Sequence, residues 1–328
     1  MINNKNIRER INQVSKETGV PTKKVSDLLF ALRTGKPVEN NELVQRIGIS
    51  KNALNQAKEL LSSLLKPPSK NTQLDASAIQ EIQSIFGAGY KSEEALWSIL
   101  ENENYRRSIE LLEKYTDQRP SPERKYDQFT ATIETTARRA SLLSFFGDVK
   151  GKRLLFLGDD DFTSVATANL GEAKSVVVVD IDERILGEIR NVSENHSLGI
   201  ETVKYDARQK LLKELVGKFD VVFTDPPYTT EGVGLFVSRA VELLDGDNKA
   251  ARVYVCYGSS DRAKERFLPI YEVFTNLGLM MRWVFDKFNR YQGAESIGSS
   301  SVLFIAEVTL KTKPIIKGDY ERPIYTNN

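Results

Sequence analysis

The 328-residue chain has one cysteine, Cys256, and one histidine, His196. A single thiol cannot close an intramolecular disulfide, and two such residues cannot furnish a Cys/His zinc site. A Cys–His nucleophile pair would need those two residues to meet. A Ser-His-Asp triad would have to recruit His196 from a polar stretch that follows a helix. No apolar run approaches the ~20 residues of a membrane helix, and the first thirty residues read as too polar for a signal peptide. No membrane association is expected, and the near absence of thiols suits a reducing cytoplasm. Chemistry is left to carboxylates, tyrosines and a bound cofactor.

What is present is ordinary in bulk: 40% hydrophobic and 28% charged residues, the balance of a globular protein. Net charge is +1, but unevenly spread. Residues 1–70 hold 13 Lys and Arg against 6 Asp and Glu, and residues 71–118 hold 4 against 9. A basic start invites nucleic acid, and the acidic segment beside it argues the other way. Apolar spacing predicts helices over Asn6–Thr18 and Val25–Leu32. Glu42–Leu61 reads as helix, short turn at Gly48–Ser50, helix, with Ser50 as the second N-cap. Lys51 and Lys58 alone are sparse charge for a DNA-reading helix. The expectation is an all-α, winged-helix-like domain over residues 1–118 that mediates a homodimer, with nucleic acid not expected as a partner. Arg119-Pro-Ser-Pro122 is the strongest linker signal, which leaves 119–328 as the second domain.

In that second domain a helix over Arg138–Phe146 leads into alternating strands and helices. Strands are predicted at Arg153–Leu157, Ser175–Ile181, Ile200–Tyr205, Phe219–Thr224 and Arg252–Tyr257. Helices fall at Glu183–Asn191, Leu235–Leu244 and Ala263–Leu277. The alternation predicts an α/β, doubly wound, Rossmann-like and mainly parallel sheet. Met280–Phe288 and Ser301–Leu310 lack an intervening helix and read as a final pair that includes an antiparallel strand. A closing pair of this kind resembles the class I methyltransferase version of the fold.

Candidate chemistry collects at four strand ends. Gly158-Asp159-Asp160-Asp161 follows the first strand, where a nucleotide-binding turn normally has small residues. Asp180 lies 22 residues after Gly158 and closes the second strand, where an acid hydrogen-bonds a ribose hydroxyl; Asp182 is an alternative for that role. Asp206, past the third strand, is placed to accept from an adenine amino group, with Ala207 offering its backbone. Asp225-Pro226-Pro227-Tyr228 closes the fourth strand, its prolines fixing the backbone so that carbonyls face a substrate nitrogen. Enzymes that methylate exocyclic amino groups of bases carry a motif of that form. Three adjacent carboxylates repel one another and call for a cation. They would also repel the carboxylate of S-adenosylmethionine, whereas the decarboxylated donor and a polyamine acceptor bring only positive charge. Charge-assisted pairs worth ~1.5–3 kcal/mol each suffice to choose between donors. No metal is expected, because a buried strand stands where a metal loop would alternate its ligands.

The segments LGDDDFTSVA, VVVVDIDERIL and FTDPPYT, with Tyr126-Asp-Gln128 and Glu134-Thr-Thr-Ala-Arg-Arg139, resemble the branched-chain polyamine synthases, the N4-bis(aminopropyl)spermidine synthase family. The resemblance implies an aminopropyltransferase that uses decarboxylated S-adenosylmethionine, takes spermidine or related polyamines as acceptor and releases methylthioadenosine. It implies that Asp161 sits nearest the attacked nitrogen, with Asp160 beside it in the catalytic set, and that Asp159 and Asp160 hold the donor's terminal amine and shape the loop. Glu134, Asp225, Tyr228, Asp286 and Tyr291 are candidates for the polyamine's other ammonium groups. Phe288–Tyr291, followed by Gly293 and Gly298, is placed to form a lid. The competing reading is an S-adenosylmethionine-dependent methyltransferase acting on an amino group of DNA or RNA.

Overall fold

A computed structural model describes residues 4–87, 89–258, 263–292 and 299–326. The chain divides into two compact units, the first built mainly from residues up to Ile99 and the second from Leu100 onward.

In the first unit α1 (Asn4–Thr18) and α2 (Thr22–Leu32) precede a two-residue strand β1 (Val38–Glu39). Then follow α3 (Asn40–Ile47), α4 (Lys51–Leu60), β2 (Asn71–Thr72) and α5 (Ala76–Ile85). Each long helix buries one stripe: Ile7, Ile11 and Val14 of α1 join Leu28, Leu29, Leu43 and Leu54 in a common core. The turn between α3 and α4 forms as its residues dictate. Gly48 takes φ +68°, and the Ser50 hydroxyl accepts the Ala53 N–H at 3.1 Å, a cap worth ~1 kcal/mol. The unit is not all-α, since β1 and β2 pair antiparallel.

The second unit begins before the proline-rich segment. Its α6 (Glu103–Glu113) packs against α7 (Ile133–Phe145), so the compact division falls ahead of the 118/119 boundary. Arg119 is buried in this unit, donating to the carbonyls of Ala131 and Asp160. The sheet is built from β3 (Arg153–Leu157), β4 (Ser175–Asp180), β5 (Ile200–Lys204), β6 (Val221–Thr224), β7 (Arg252–Tyr257), β8 (Met280–Arg290) and β9 (Ser300–Glu307). Between these strands run α8 (Thr163–Ala168), α9 (Glu183–His196), α10 (Thr230–Leu243) and α11 (Phe267–Asn276). The strand order is β5-β4-β3-β6-β7-β9-β8. Pairs β3–β4, β3–β6, β4–β5 and β6–β7 are parallel, and β9 runs antiparallel to β7. Helices cover both faces, so β3, β4, β6 and β7 are continuous apolar runs, buried from Leu154 to Leu157 and from Val176 to Val179.

Two helices start earlier than expected because polar caps outrank apolar periodicity. Thr132 accepts the Thr135 N–H to open α7, and Thr229 accepts the Gly232 N–H to open α10 directly after the proline pair. No lid begins at Phe288: Phe288 and Asn289 are buried strand residues of β8, and Gly293 and Gly298 lie outside the described residues.

Candidate active site

The sheet changes its winding direction between β3 and β6, and ligands of such sheets bind in the crevice above that point. Here β3 ends and Gly158 turns the chain at φ +75°, a conformation strained for any residue with a Cβ. Three aspartates then leave in three directions. Asp159 folds back beneath the loop, where its carboxylate accepts the backbone N–H of Thr163 (2.8 Å) and of Ser164 (3.0 Å). Asp161 is also buried. It accepts from the Arg139 guanidinium at 2.7 Å, the Ala131 N–H at 2.5 Å and Arg119 at 3.4 Å. Phe162 completes the turn at φ +59° with its ring fully buried, the burial offsetting a ~1–2 kcal/mol backbone cost. Asp160 alone of the three lines the crevice, and its carboxyl has no hydrogen-bond partner among the described residues.

Asp180 closes β4 under the same crevice. One oxygen accepts the Asp159 N–H (3.0 Å) and the other the Asp182 N–H (2.8 Å), each keeping a lone pair for a hydroxyl. Across from it, Asp225 receives Arg139 at 2.8 Å, the Tyr291 hydroxyl at 2.6 Å and the Tyr228 hydroxyl at 3.0 Å. The two tyrosine oxygens lie 2.9 Å apart. The ring of Tyr228 leans on Gly258, where a Cβ would meet it at 2.6 Å.

Burial pushes Asp159 up to about 7 and Asp180 up to about 6. Asp160 is raised well above the carboxylate range, first by burial and then by Asp161, Asp225 and Asp180. Asp225 is raised by burial, with Arg139 pulling the other way. Burial thus favours the neutral form of these carboxyls, and a cation entering the crevice would favour ionisation of those that face it, Asp160, Asp180 and Asp225.

The crevice is narrow: about 70 Å³ of it is open to a water-sized body, and about 560 Å³ lies between its walls once the open mouth is included. Of the residues expected there, Gly158, Asp160, Asp180, Asp225, Pro226, Tyr228 and Tyr291 line it. Others do not. Asp159 caps the first turn of α8 beneath the loop and is not among the residues that line the crevice. Asp161 is spent on Arg139 and Ala131, one layer below the cavity. Asp182 caps α9 and pairs with Arg184 at 2.6 Å. Asp206 pairs with Arg208 at 2.7 Å, and the carbonyl of Ala207 accepts from Arg239 at 3.0 Å. Glu134 points outward from α7 beside Tyr105, and Asp286 is exposed on β8. Neither belongs to the crevice. A carboxylate after a strand often serves a cap or a local Arg, and sequence position alone does not separate that use from ligand binding.

Several wall residues had no assigned role. Tyr126, Gln128, Phe129 and Phe236 line the crevice, as does Tyr325 from the far end of the chain. The C-terminal segment is tied down by the Thr326 N–H and hydroxyl, which donate to the Asp127 carboxylate at 2.7 and 2.5 Å. Arg139, 1% exposed, sits at the centre of the floor. Tyr126–Gln128 and Arg139 stand in segments that carry the family resemblance. Tyr325 had no sequence signal.

Fold and site together define a Rossmann-like domain of the methyltransferase type whose ligand crevice is acidic and aromatic. The family model for the branched-chain polyamine synthase A C-terminal domain matches residues 109–324, and the chain belongs to that family. An uncharacterized protein of Methanocaldococcus jannaschii is 32% identical over 325 residues, 96% of this chain and 81% of that one. The N(4)-bis(aminopropyl)spermidine synthase of Thermococcus kodakarensis is 35% identical over 187 residues. That match covers 56% of this chain and about half (53%) of the synthase. A solved structure, the C9 mutein of the branched-chain polyamine synthase of Thermus thermophilus with N4-aminopropylspermidine and 5'-methylthioadenosine, superposes with a TM-score of 0.66. It covers 99% of this chain and 98% of that one at 24% identity, a likeness of fold.

Proposed function

We propose that the chain is an aminopropyltransferase of polyamine biosynthesis. It moves aminopropyl groups from decarboxylated S-adenosylmethionine to the central nitrogen of spermidine, giving N4-aminopropylspermidine and then N4-bis(aminopropyl)spermidine. The observation that carries this reading is Asp160, a carboxyl facing an aromatic-walled crevice without a hydrogen-bond partner among the described residues. A polycation supplies what that wall lacks, and a donor carboxylate would be repelled. Family membership and the names of the Thermococcus and Thermus relatives support the same chemistry.

In this reading Asp180 takes the donor's ribose beside Gly158, and the carboxyls of Asp160 and Asp225 with the hydroxyls of Tyr228 and Tyr291 face the two amines. Pro226 holds the Asp225 backbone in place. The acceptor's secondary ammonium gives its proton to Asp160, and the freed lone pair attacks the carbon bonded to sulfur in line. The new C–N bond forms as the C–S bond breaks, and methylthioadenosine leaves. Positioning of this kind supplies up to ~7–11 kcal/mol and a carboxylate base ~10²–10⁴-fold. Asp160 takes the role first expected of Asp161, because Asp161 is already paired beneath the loop. The reading extends to a winged-helix type for the first unit, supported by the α3–turn–α4 pair and the β1–β2 ladder. It extends also to a homodimer acting in the cytoplasm without a metal.

Incubation with spermidine and each donor in turn, with mass spectrometry of the polyamine, tests the proposal. Gain of one or two aminopropyl units from the decarboxylated donor alone is expected. A methylated product from S-adenosylmethionine, with salt-sensitive retention on DNA, would move the assignment to an amino-methyltransferase.

A further inference from the structure

The guanidinium of Arg139 uses all five of its N–H groups on the floor beneath the crevice. Nη1 donates to Asp161 (2.7 Å) and to the Thr163 hydroxyl (3.3 Å). Nη2 donates to Asp225 (2.8 Å) and to the Tyr291 hydroxyl (3.0 Å), and Nε to the side-chain Oδ1 of Asn289 (2.8 Å). These acceptors come from the turn after β3, the segment after β6, and β8 with the residue that follows it. The Phe223 ring covers the group, its centroid 5.3 Å away. Arg139 is therefore fixed in orientation as well as charge, and it does not itself line the crevice.

We infer that Arg139 is the positioning residue of this site: it locks Asp161 and Asp225 to one another across the switch point and leaves Asp160 as the carboxyl free to meet a ligand. The titratable groups facing Arg139 are Asp161, Asp225, Tyr291 and Cys256. Those facing Asp160 are Asp161, Asp225, Asp180 and Arg119. Without Arg139, Asp225 would lose its paired arginine and Asp161 would keep only the longer arginine contact, to Arg119 (3.4 Å), leaving both to compete with Asp160 for the ligand's cations. With it, the turn that bears Asp160 and the wall that bears Tyr228 and Tyr291 keep a set separation. Attack in line needs such a separation, since a displacement of ~1 Å can cost ~10²-fold in rate. Lysine would keep the charge but lose the fork, offering three donors from one atom.

The kinetic part of this inference rests on the aminopropyltransferase reading, and the stability part does not. Arg139→Lys and Arg139→Gln are each expected to lower kcat ~10²-fold or more while methylthioadenosine binding, followed by calorimetry, stays within a few-fold. Arg139→Gln should also lose thermal stability as pH rises from about 4 to 8, because Asp225, raised by burial, then loses the arginine that pulls it the other way and resists ionising further. Arg139→Gln/Asp225→Asn should recover much of that loss without recovering turnover. Wild-type kcat and pH profile in Arg139→Lys would overturn the positioning role. A melting profile against pH unchanged in Arg139→Gln would overturn the clamp. If the wild-type chain transfers no aminopropyl group yet the melting profiles behave as described, the functional reading falls and the clamp stands.

Discussion

Asp159, Asp160 and Asp161 are chemically identical and adjacent, yet they meet three different fates. Asp159 receives two backbone N–H groups, Asp161 receives an arginine, and the Asp160 carboxyl receives no hydrogen bond from the described residues. Its neutral form is favoured in the fold, so ionising it costs stability, and that cost accrues as pH rises through and beyond the ordinary carboxylate range. Asp160→Asn should accordingly melt higher than the parent chain at pH 8, with the gap closing toward pH 4, while kcat falls ~10²–10⁴-fold. Parallel melting curves across that range, or retained turnover, would refute the assignment.

At the scale of elements, the site is a set of strand ends brought level by a parallel sheet. The register pairs Leu157 with Val179 and with Thr224, so the residues that follow β3, β4 and β6 emerge on one edge. The same edge receives Gly258 at the end of β7, packed on the ring of Tyr228. Gly258→Ala puts a methyl where that ring lies and must shift it, without removing any polar atom. A raised KM for the polyamine, with the donor KM little changed, is the expected signature. A raised donor KM with the polyamine KM little changed would assign Tyr228 to the donor side instead.

Over the whole molecule, charge is close to balanced at +1, so a polycation gains little from long-range attraction. In the proposed reading, recognition falls to the local cluster of Asp160, Asp180 and Asp225 that lines the crevice. Because these carboxyls must ionise to bind cations, spermidine should raise the melting temperature more at pH 8 than at pH 5.5. A ligand at 100 times its Kd contributes ~2.7 kcal/mol, and added salt should erode the shift. A shift independent of pH would mean that these acids do not contact the ligand.

The sequence by itself determined the elements and their order. Apolar runs such as Leu154–Leu157 and Val176–Val179 are local signals, and a glycine after a buried strand fixes where the crevice lies. The acidic loop, Asp180, and Asp225 with Tyr228 were legible for the same reason, each following a strand whose period is written in adjacent residues. Tertiary structure decided which carboxylates line the crevice. Asp161 is withdrawn by Arg139 from another helix and Ala131 from the strand-like segment before it, and Asp206 by its neighbour Arg208, while Glu134 and Asp286 turn to solvent. Tyr325 joins the wall through Thr326 and Asp127, 199 residues apart. Such choices depend on which partner satisfies a buried charge first: for Asp159 and Asp206 that partner is a near neighbour in the chain, and for Asp161 and Asp225 it is Arg139 on another element.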